Sequence, residues 1–280
     1  MIVDPYRFAD AAAAGYLDPF WPTSLYSMRK RNSAYSGYCV KVRNTTTEVE
    51  TDIGFDVEGW IDAVALAACR VGSQVLVVVT WYDQSGSANH AAQSTPGYQP
   101  HMTDTSGGIY LFHGKPCMRM ETGDDHLTVA SNAIFGFGTG AWSVEAFVGI
   151  DALSTTDFSS AVDFRTTTVA TQFACGALNS RRITLYNGSA FIGDAGPVLA
   201  NSTDYSLAYT SPGGGGNILQ FVDGNQESST ADSTDMQSAR PMTIGNNLNR
   251  VNRFAAYFGE VAIVKGVQQY TGSFTPRSYT

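Results

Sequence analysis

Residues 74–92 read QVLVVVTWYDQSGSANHAA. Gln74–Thr80 is rich in β-branched side chains and too short to span a membrane, so it predicts a strand buried on both faces. Within three positions the chemistry becomes that of a turn. Asp83 and Ser85 are residues that hydrogen-bond nearby backbone in tight turns, and Gly86 supplies a backbone angle that other residues avoid. Asn89 and His90 then fall where they pack back across the turn. A catalytic reading competes, with Asp83 as general base and His90 as acid–base group or metal ligand. No second carboxylate lies near in sequence, no Ser-His-Asp order is evident, and the four histidines lack an H-x-x-x-H spacing. Trp81, Tyr82, Asp83, Gln84, Ser85, Gly86, Asn89 and His90 therefore read as a structural corner ending a central strand.

Outward from this corner the pattern stays β-rich. YCVKVRN (38–44) alternates as a half-buried strand. Two helices are expected before the corner, a short one around Leu25–Arg31 and a longer one over Val57–Cys69. In the second, Trp60, Ile61, Val64, Ala65 and Ala68 recur at helical spacing and Gly72 ends it. After the corner, GIYLFH, PCMRME, HLTVA, WSVEAFVGI, TQFACGAL, RITLYNG, DYSLAYT, NILQFVDGN, RPMTIGN and FAAYFGEVAIV read as strands separated by Gly, Asn and Asp turns. So many short strands predict an all-β fold, an antiparallel jelly-roll sandwich with one or two short helices.

The chain has 280 residues, of which 43% are hydrophobic and only 15% charged, with 28 glycines. That supports a full core and an uncharged polar surface. A net charge of −8 without a basic stripe speaks against nucleic-acid binding. No stretch is long and apolar enough to span a membrane. The N-terminal residues carry Asp4, Arg7 and Asp10 instead of a basic start before an apolar run, so synthesis and folding in a cytosol are expected. Cys39, Cys69, Cys117 and Cys175 are far apart and read as reduced, buried apolar side chains.

The segment YSMRKRNSAYSGYCVKVRNTTTEVETDIGF followed by TWYDQSGSANHAAQ resembles the N-terminal part of the α-L-arabinofuranosidase B catalytic domain family. The match covers roughly residues 23–120, and Tyr82–Gly86 with Asn89 and His90 is its most specific part. The same block resembles one found in bacteriophage virion and marine bacterial surface proteins, ahead of a concanavalin-A-like, laminin-G-like sandwich. FAAYFGEVAIVKGVQ is similar to the last core strand of laminin-G-like domains. Residues 1–20, of mixed polarity and broken by Pro5 and Pro19, read as an N-terminal arm, and the resemblance implies a 21–280 sandwich, divided into a 21–120 arabinofuranosidase-B-like block and a 121–280 laminin-G-like remainder.

A retaining glycosidase needs two carboxyl groups about 5–5.5 Å apart. The resemblance places the family's two near ITLYNGSAF and IGNNLNRVN, where this chain has Tyr186, Asn187 and Gly188, and Asn246, Asn247 and Asn249. Beyond Gln237 the sole carboxylate side chain is Glu260, which reads as a sheet position. The expectation is therefore no catalytic residue and no enzyme. It is instead a non-catalytic virion structural protein (a head decoration, tail or fibre-associated part) made in the host cytoplasm, with other virion proteins and copies of itself as partners. Tyr186, Asn187, Asn246, Asn247 and Asn249 are the candidate carbohydrate-binding residues toward a cell-surface glycan. The alternative is a glycoside hydrolase of α-L-arabinofuranosidase type. No cofactor is expected. Calcium is the one metal with candidate donors, in GDDH (123–126), Asp151, Asp157 and Asp163, and the competing reading of GDDH is a turn.

Overall fold

The computed structural model describes residues 22–112, 114–121, 123–165, 173–236 and 240–276. The expected arm, Trp21 and His113 lie outside them. The first strands are β1 (Ser24–Ser27), β2 (Val40–Asn44), β3 (Glu50–Ile53), β4 (Leu76–Trp81) and β5 (Ala91–Ala92). Next come β6 (Leu111–Phe112), β7 (Lys115–Pro116), β8 (Met118–Arg119), β9 (Leu127–Asn132), β10 (Trp142–Ala152) and β11 (Ser159–Asp163). They are followed by β12 (Ala174–Ala177), β13 (Ile183–Tyr186), β14 (Phe191–Ala195) and β15 (Thr203–Ser211). The last are β16 (Asn217–Val222), β17 (Asn225–Ala231), β18 (Arg240–Ile244) and β19 (Ala255–Lys265).

Two antiparallel sheets face each other. The seven-stranded sheet runs β1-β19-β10-β15-β16-β17, with β8 also against β19. The ten-stranded sheet runs β14-β13-β12-β11-β18-β9-β5-β4-β2-β3, and β6-β7 is a separate hairpin. Both large sheets mix strands from 21–120 with strands from 121–280. Trp142, Val144, Ala146, Val148 and Ile150 of β10 enter the core with Tyr26, Trp81, Phe258 and Val261. Alternation along a strand sends Ser143, Glu145, Phe147 and Asp151 to the outer face. Part of that face is covered by the chain after β19. There the stacked rings of Tyr270 and Phe274, 3.6 Å apart, pack with Ala208, Leu219 and Phe221.

The two expected helices are corrected. Leu25–Arg31 contributes β1 instead, because Ser24–Ser27 pairs with Glu260–Ile263. Over Val57–Cys69 the one α-helix, α1, is confined to Ala63–Ala68. Asp56 accepts hydrogen bonds from the amides of Glu58 and Trp60, and Gly59 takes φ +82°. This turn breaks the helical path, and Trp60 and Ile61 form β-bridges to Arg29 and Phe55. Asp62 then caps α1 by accepting from the amides of Val64 and Ala65.

β4 fits its sequence: Leu76, Val77, Val78 and Trp81 are buried. The turn after it grips β1, far away in sequence. The buried Asp83 carboxylate accepts from the amides of Leu25 at 2.8 Å, Ser85 at 2.9 Å and Asn89 at 3.0 Å. The Gln84 amide donates to Leu25 O at 2.7 Å. The Tyr26 hydroxyl donates to Asn89 O, and Asn89 Nδ2 donates to Ser24 Oγ at 3.3 Å. Gly86 adopts φ +92°. WYDQSG-x-x-NHA thus ties an edge strand of one sheet to an inner strand of the other. Cys39, Cys69, Cys117 and Cys175 are all free thiols, and Cys69 is the half-exposed one. No helix among the described residues is long and apolar enough to cross a membrane.

Candidate active site

Two of the candidate sugar-binding residues, Tyr186 and Asn247, come together beside the ten-stranded sheet around Arg165. Asp163, with a fully buried side chain, ends β11 and receives Arg165 Nε at 2.8 Å and Ser160 Oγ at 2.8 Å. The Arg165 guanidinium also donates to Asn252 Oδ1 at 2.9 Å and lies over the rings of Phe158 and Tyr186, 5.6 and 5.4 Å from their centroids. Asn247 Nδ2 donates to the same Asn252 oxygen at 2.8 Å. Tyr186 and Asn247, distant in sequence, thus meet across one arginine.

Their expected role as surface candidates is corrected for three of the five. Asn187 is buried; its Oδ1 accepts from the amides of Ser189 and Ala190, and its Nδ2 donates to Asp232 Oδ1 at 3.2 Å. Asn246 is fully buried; it donates to Gly123 O and accepts from the amides of Asn247 and Asn252. Asn247 is buried as well and accepts from Val251 N. Short amide side chains here close loops on themselves, the alternative use of Asn in turns. Tyr186 stays half-buried and Asn249 exposed.

The calcium candidates are engaged in other ways. Asp124 pairs with Arg250 at 3.2 Å, Asp125 accepts from Glu121 N, Asp151 pairs with Arg119 at 2.7 Å, and Asp157 accepts from Phe158 N. Among the described residues no three His, Cys, Asp or Glu side chains converge on a metal position.

A pair of carboxyl groups does converge on the outer face of the seven-stranded sheet. In β19, Ala256 and Phe258 enter the core, and so do Val261 and Ile263. The parity changes because β10 shifts register here: Val148 faces Phe258 while Phe147 faces Glu260, leaving Gly259 as a bulge. Without the extra residue, Glu260 would point inward beside Phe258. With it, Glu260 points outward and stands diagonal to Glu145, which pairs with Ala262. Diagonal cross-strand neighbours are about 7–8 Å apart at the backbone. That spacing at the backbone is compatible with the separation of paired glycosidase carboxylates, about 5–9.5 Å. Both line a shallow depression with Arg31, Ala146, Phe147 and Ser206.

Arg31 Nε donates to Glu260 Oε2 at 2.5 Å, with both side chains about nine-tenths buried. The corner places this arginine. Gln84 Oε1 accepts from the Arg31 amide at 2.9 Å, and Gln84 Nε2 donates to Ser27 O at 2.8 Å and Arg29 O at 3.1 Å. Glu145 was not singled out by sequence, and Glu260 was read as a sheet residue without chemistry. The signal that would have found them is Gly259, since a lone glycine within a strand pattern marks a bulge.

No protein-family model and no curated protein matches the chain. Solved structures do. One is a GH54 α-L-arabinofuranosidase soaked with a cyclic sulfate inhibitor, with a TM-score of 0.63 and 16% identity over 89% of this chain and 60% of that one. Another is an arabinofuranosidase complexed with arabinofuranosyl-α-1,2-xylobiose, with a TM-score of 0.65 and 14% identity over the same shares. The fold is that of the arabinofuranosidases. At this identity the likeness is one of fold, and the chain spans about 60% of the length of those enzymes. The expectation of a non-catalytic virion part is corrected on this finding. Both of these structures, which share the fold over 89% of this chain, are arabinofuranosidases with an inhibitor or a sugar bound.

Proposed function

We propose that the protein is a glycoside hydrolase of α-L-arabinofuranosidase type in which Glu145 and Glu260 are the carboxyl pair. The observation that carries the reading is the Gly259 bulge, which turns Glu260 out of the core and beside Glu145. Bulges recur next to active sites because they re-aim single side chains. The shared fold supports the reaction class, and the carboxyl pair supplies the groups that class needs.

The division of labour follows from Arg31. Glu260, ion-paired to a guanidinium, acts as the carboxylate facing the anomeric carbon, where positive charge builds in an oxocarbenium-like transition state. Glu145, half-buried at the other side of the depression, donates its proton to the leaving oxygen. Phe147, directly opposite Glu260 in register, offers an apolar surface to the sugar ring. Turnover of 4-nitrophenyl α-L-arabinofuranoside by the purified protein, lost in Glu145→Gln and Glu260→Gln, is the expected result. Absence of turnover in the wild type, or equal turnover in all three, would overturn the assignment.

A further inference from the structure

The same two strands that carry Glu145 and Glu260 deliver a second cluster farther along the outer face. Asp151 lies six residues beyond Glu145 on β10, roughly 20 Å along a strand. Tyr257 precedes the bulge on β19 and is paired with Gly149. Arg119 of β8 is paired with Tyr257. Arg119 donates to Asp151 Oδ2 from Nε at 3.0 Å and from Nη2 at 2.7 Å. Its Nη1 reaches the Tyr110 hydroxyl at 3.1 Å and Glu121 Oε1 at 3.2 Å. The guanidinium lies 5.4 and 5.5 Å from the ring centroids of Tyr110 and Tyr257, which meet edge to face at 5.6 Å. The His101 ring nitrogen Nδ1 lies 2.8 Å from Glu121 Oε2. Phe147 joins this cluster to the carboxyl pair, since it packs, as Tyr110 and Tyr257 do, against the buried Trp60 and Cys117.

We propose that this cluster is a second sugar subsite, taking an uncharged unit of the same glycan chain whose linkage sits between Glu145 and Glu260. The inference rests on the hydrolase reading for its direction, and its test below reads binding alone. Partly exposed tyrosine rings with adjoining donors and acceptors suit a sugar, which has apolar C–H faces and hydroxyl edges. Burial pushes the Tyr110 and Tyr257 phenols up from their ordinary value, so both stay protonated. Arg119, Glu121 and Asp151 keep between a fifth and a third of their side-chain surface exposed, within reach of a ligand's hydroxyls. The charge balance names the ligand class. Arg119 is already shared between two carboxylates, Asp151 and Glu121, so the cluster disfavours the added carboxylate of a uronic or sialic acid. The span from Glu145 to Asp151 exceeds one monosaccharide in length, so the ligand is an oligosaccharide.

The experiment is calorimetric titration of the full chain with an arabinofuranosylated xylotetraose, using Glu145→Gln to prevent turnover. The same titration follows with Tyr257→Ala and Asp151→Asn added singly. Each added substitution is expected to weaken binding by about tenfold, with the melting temperature recorded as the control for folding. Should Tyr257→Ala fail to fold, Tyr257→Phe removes only the hydroxyl and is expected to weaken binding by less. Equal affinity in all folded variants would overturn the subsite, as would absence of oligosaccharide binding before these changes. An oligogalacturonate that bound as tightly as the neutral chain would overturn the uncharged assignment. Binding that depends on Tyr257 in a protein without turnover would keep the subsite and remove the hydrolase.

Discussion

Among the carboxylate–arginine pairs of the described residues, two invite comparison: Asp163 with Arg165 and Glu260 with Arg31. Asp163 is sealed from solvent, receives Ser160 as well as Arg165, and its arginine is covered by Phe158 and Tyr186. Its charge is cancelled where it stands. Glu260 instead lines a depression together with Arg31 and a second glutamate, Glu145. A one-to-one pair inside a sandwich serves the fold. In the second, two glutamates line one depression, and the proposed function has them exchange protons with a ligand.

The comparison breaks first at the chemistry. Glu145→Gln is expected to lower kcat/KM on an aryl arabinofuranoside by about 10²–10⁴-fold, as loss of a general acid does. Glu260→Gln is expected to do at least as much; Glu145→Gln melts near the wild type, and Glu260→Gln, which takes the charged partner from the buried Arg31 guanidinium, melts lower. The same change at the other pair acts on stability. Arg165→Ala strands the Asp163 charge in the interior and should cost about 3–5 kcal/mol in denaturant unfolding, leaving turnover per folded molecule intact. Loss of turnover with unchanged stability would exchange the roles of the two clusters.

Asp83→Ala sharpens the contrast, because the corner serves both the fold and Arg31. The amides of Leu25, Ser85 and Asn89 would lose their acceptor, at about 2–3 kcal/mol overall. A melting temperature that does not move would show that the corner is not what joins the sheets.

The smallest effect is one of pH. His126 is buried, with Nδ1 against Asp124 O at 2.7 Å and Nε2 against Gln93 Nε2 at 3.0 Å. Burial, aided by nearby Arg250, lowers its pKa from 6.5, outweighing the pull of the Asp124 carbonyl. The unfolded chain then binds a proton that the folded chain refuses, so stability falls as pH drops below about 6.5. Urea midpoints between pH 7 and pH 5 should decline less in His126→Gln than in the wild type.

Much of the scaffold was legible in the sequence because its signals are local. β-Branched residues from Val75 to Thr80 marked β4, and Asp83, Ser85 and Gly86 marked the turn after it. What that turn holds was not legible, since Leu25 and Arg31 lie more than fifty positions away. The long helix over Val57–Cys69 failed because the period is real but Gly59 and the Asp56 turn interrupt it, and Trp60 finds a tertiary bridge. The carboxyl pair stayed hidden for a related reason. Strict alternation through AAYFGEVAIV puts Glu260 with Ala256 and Phe258, and only the register with β10 shows that Gly259 reverses it. The candidate asparagines were recognised as turn residues but not as buried ones, because burial at Asn246 depends on Gly123 and Asn252.

The most direct test of the carboxyl pair is protection from chemical modification. The protein would be treated with a water-soluble carbodiimide and an amine, with and without arabinofuranosyl-α-1,2-xylobiose, and its carboxyl groups mapped by peptide mass spectrometry. The bound sugar is predicted to slow labelling of both Glu145 and Glu260 and to leave Asp232, beside Asn187, unaffected. Protection of Asp232 with no change at Glu145 and Glu260 would contradict the account and move the site to the ten-stranded sheet.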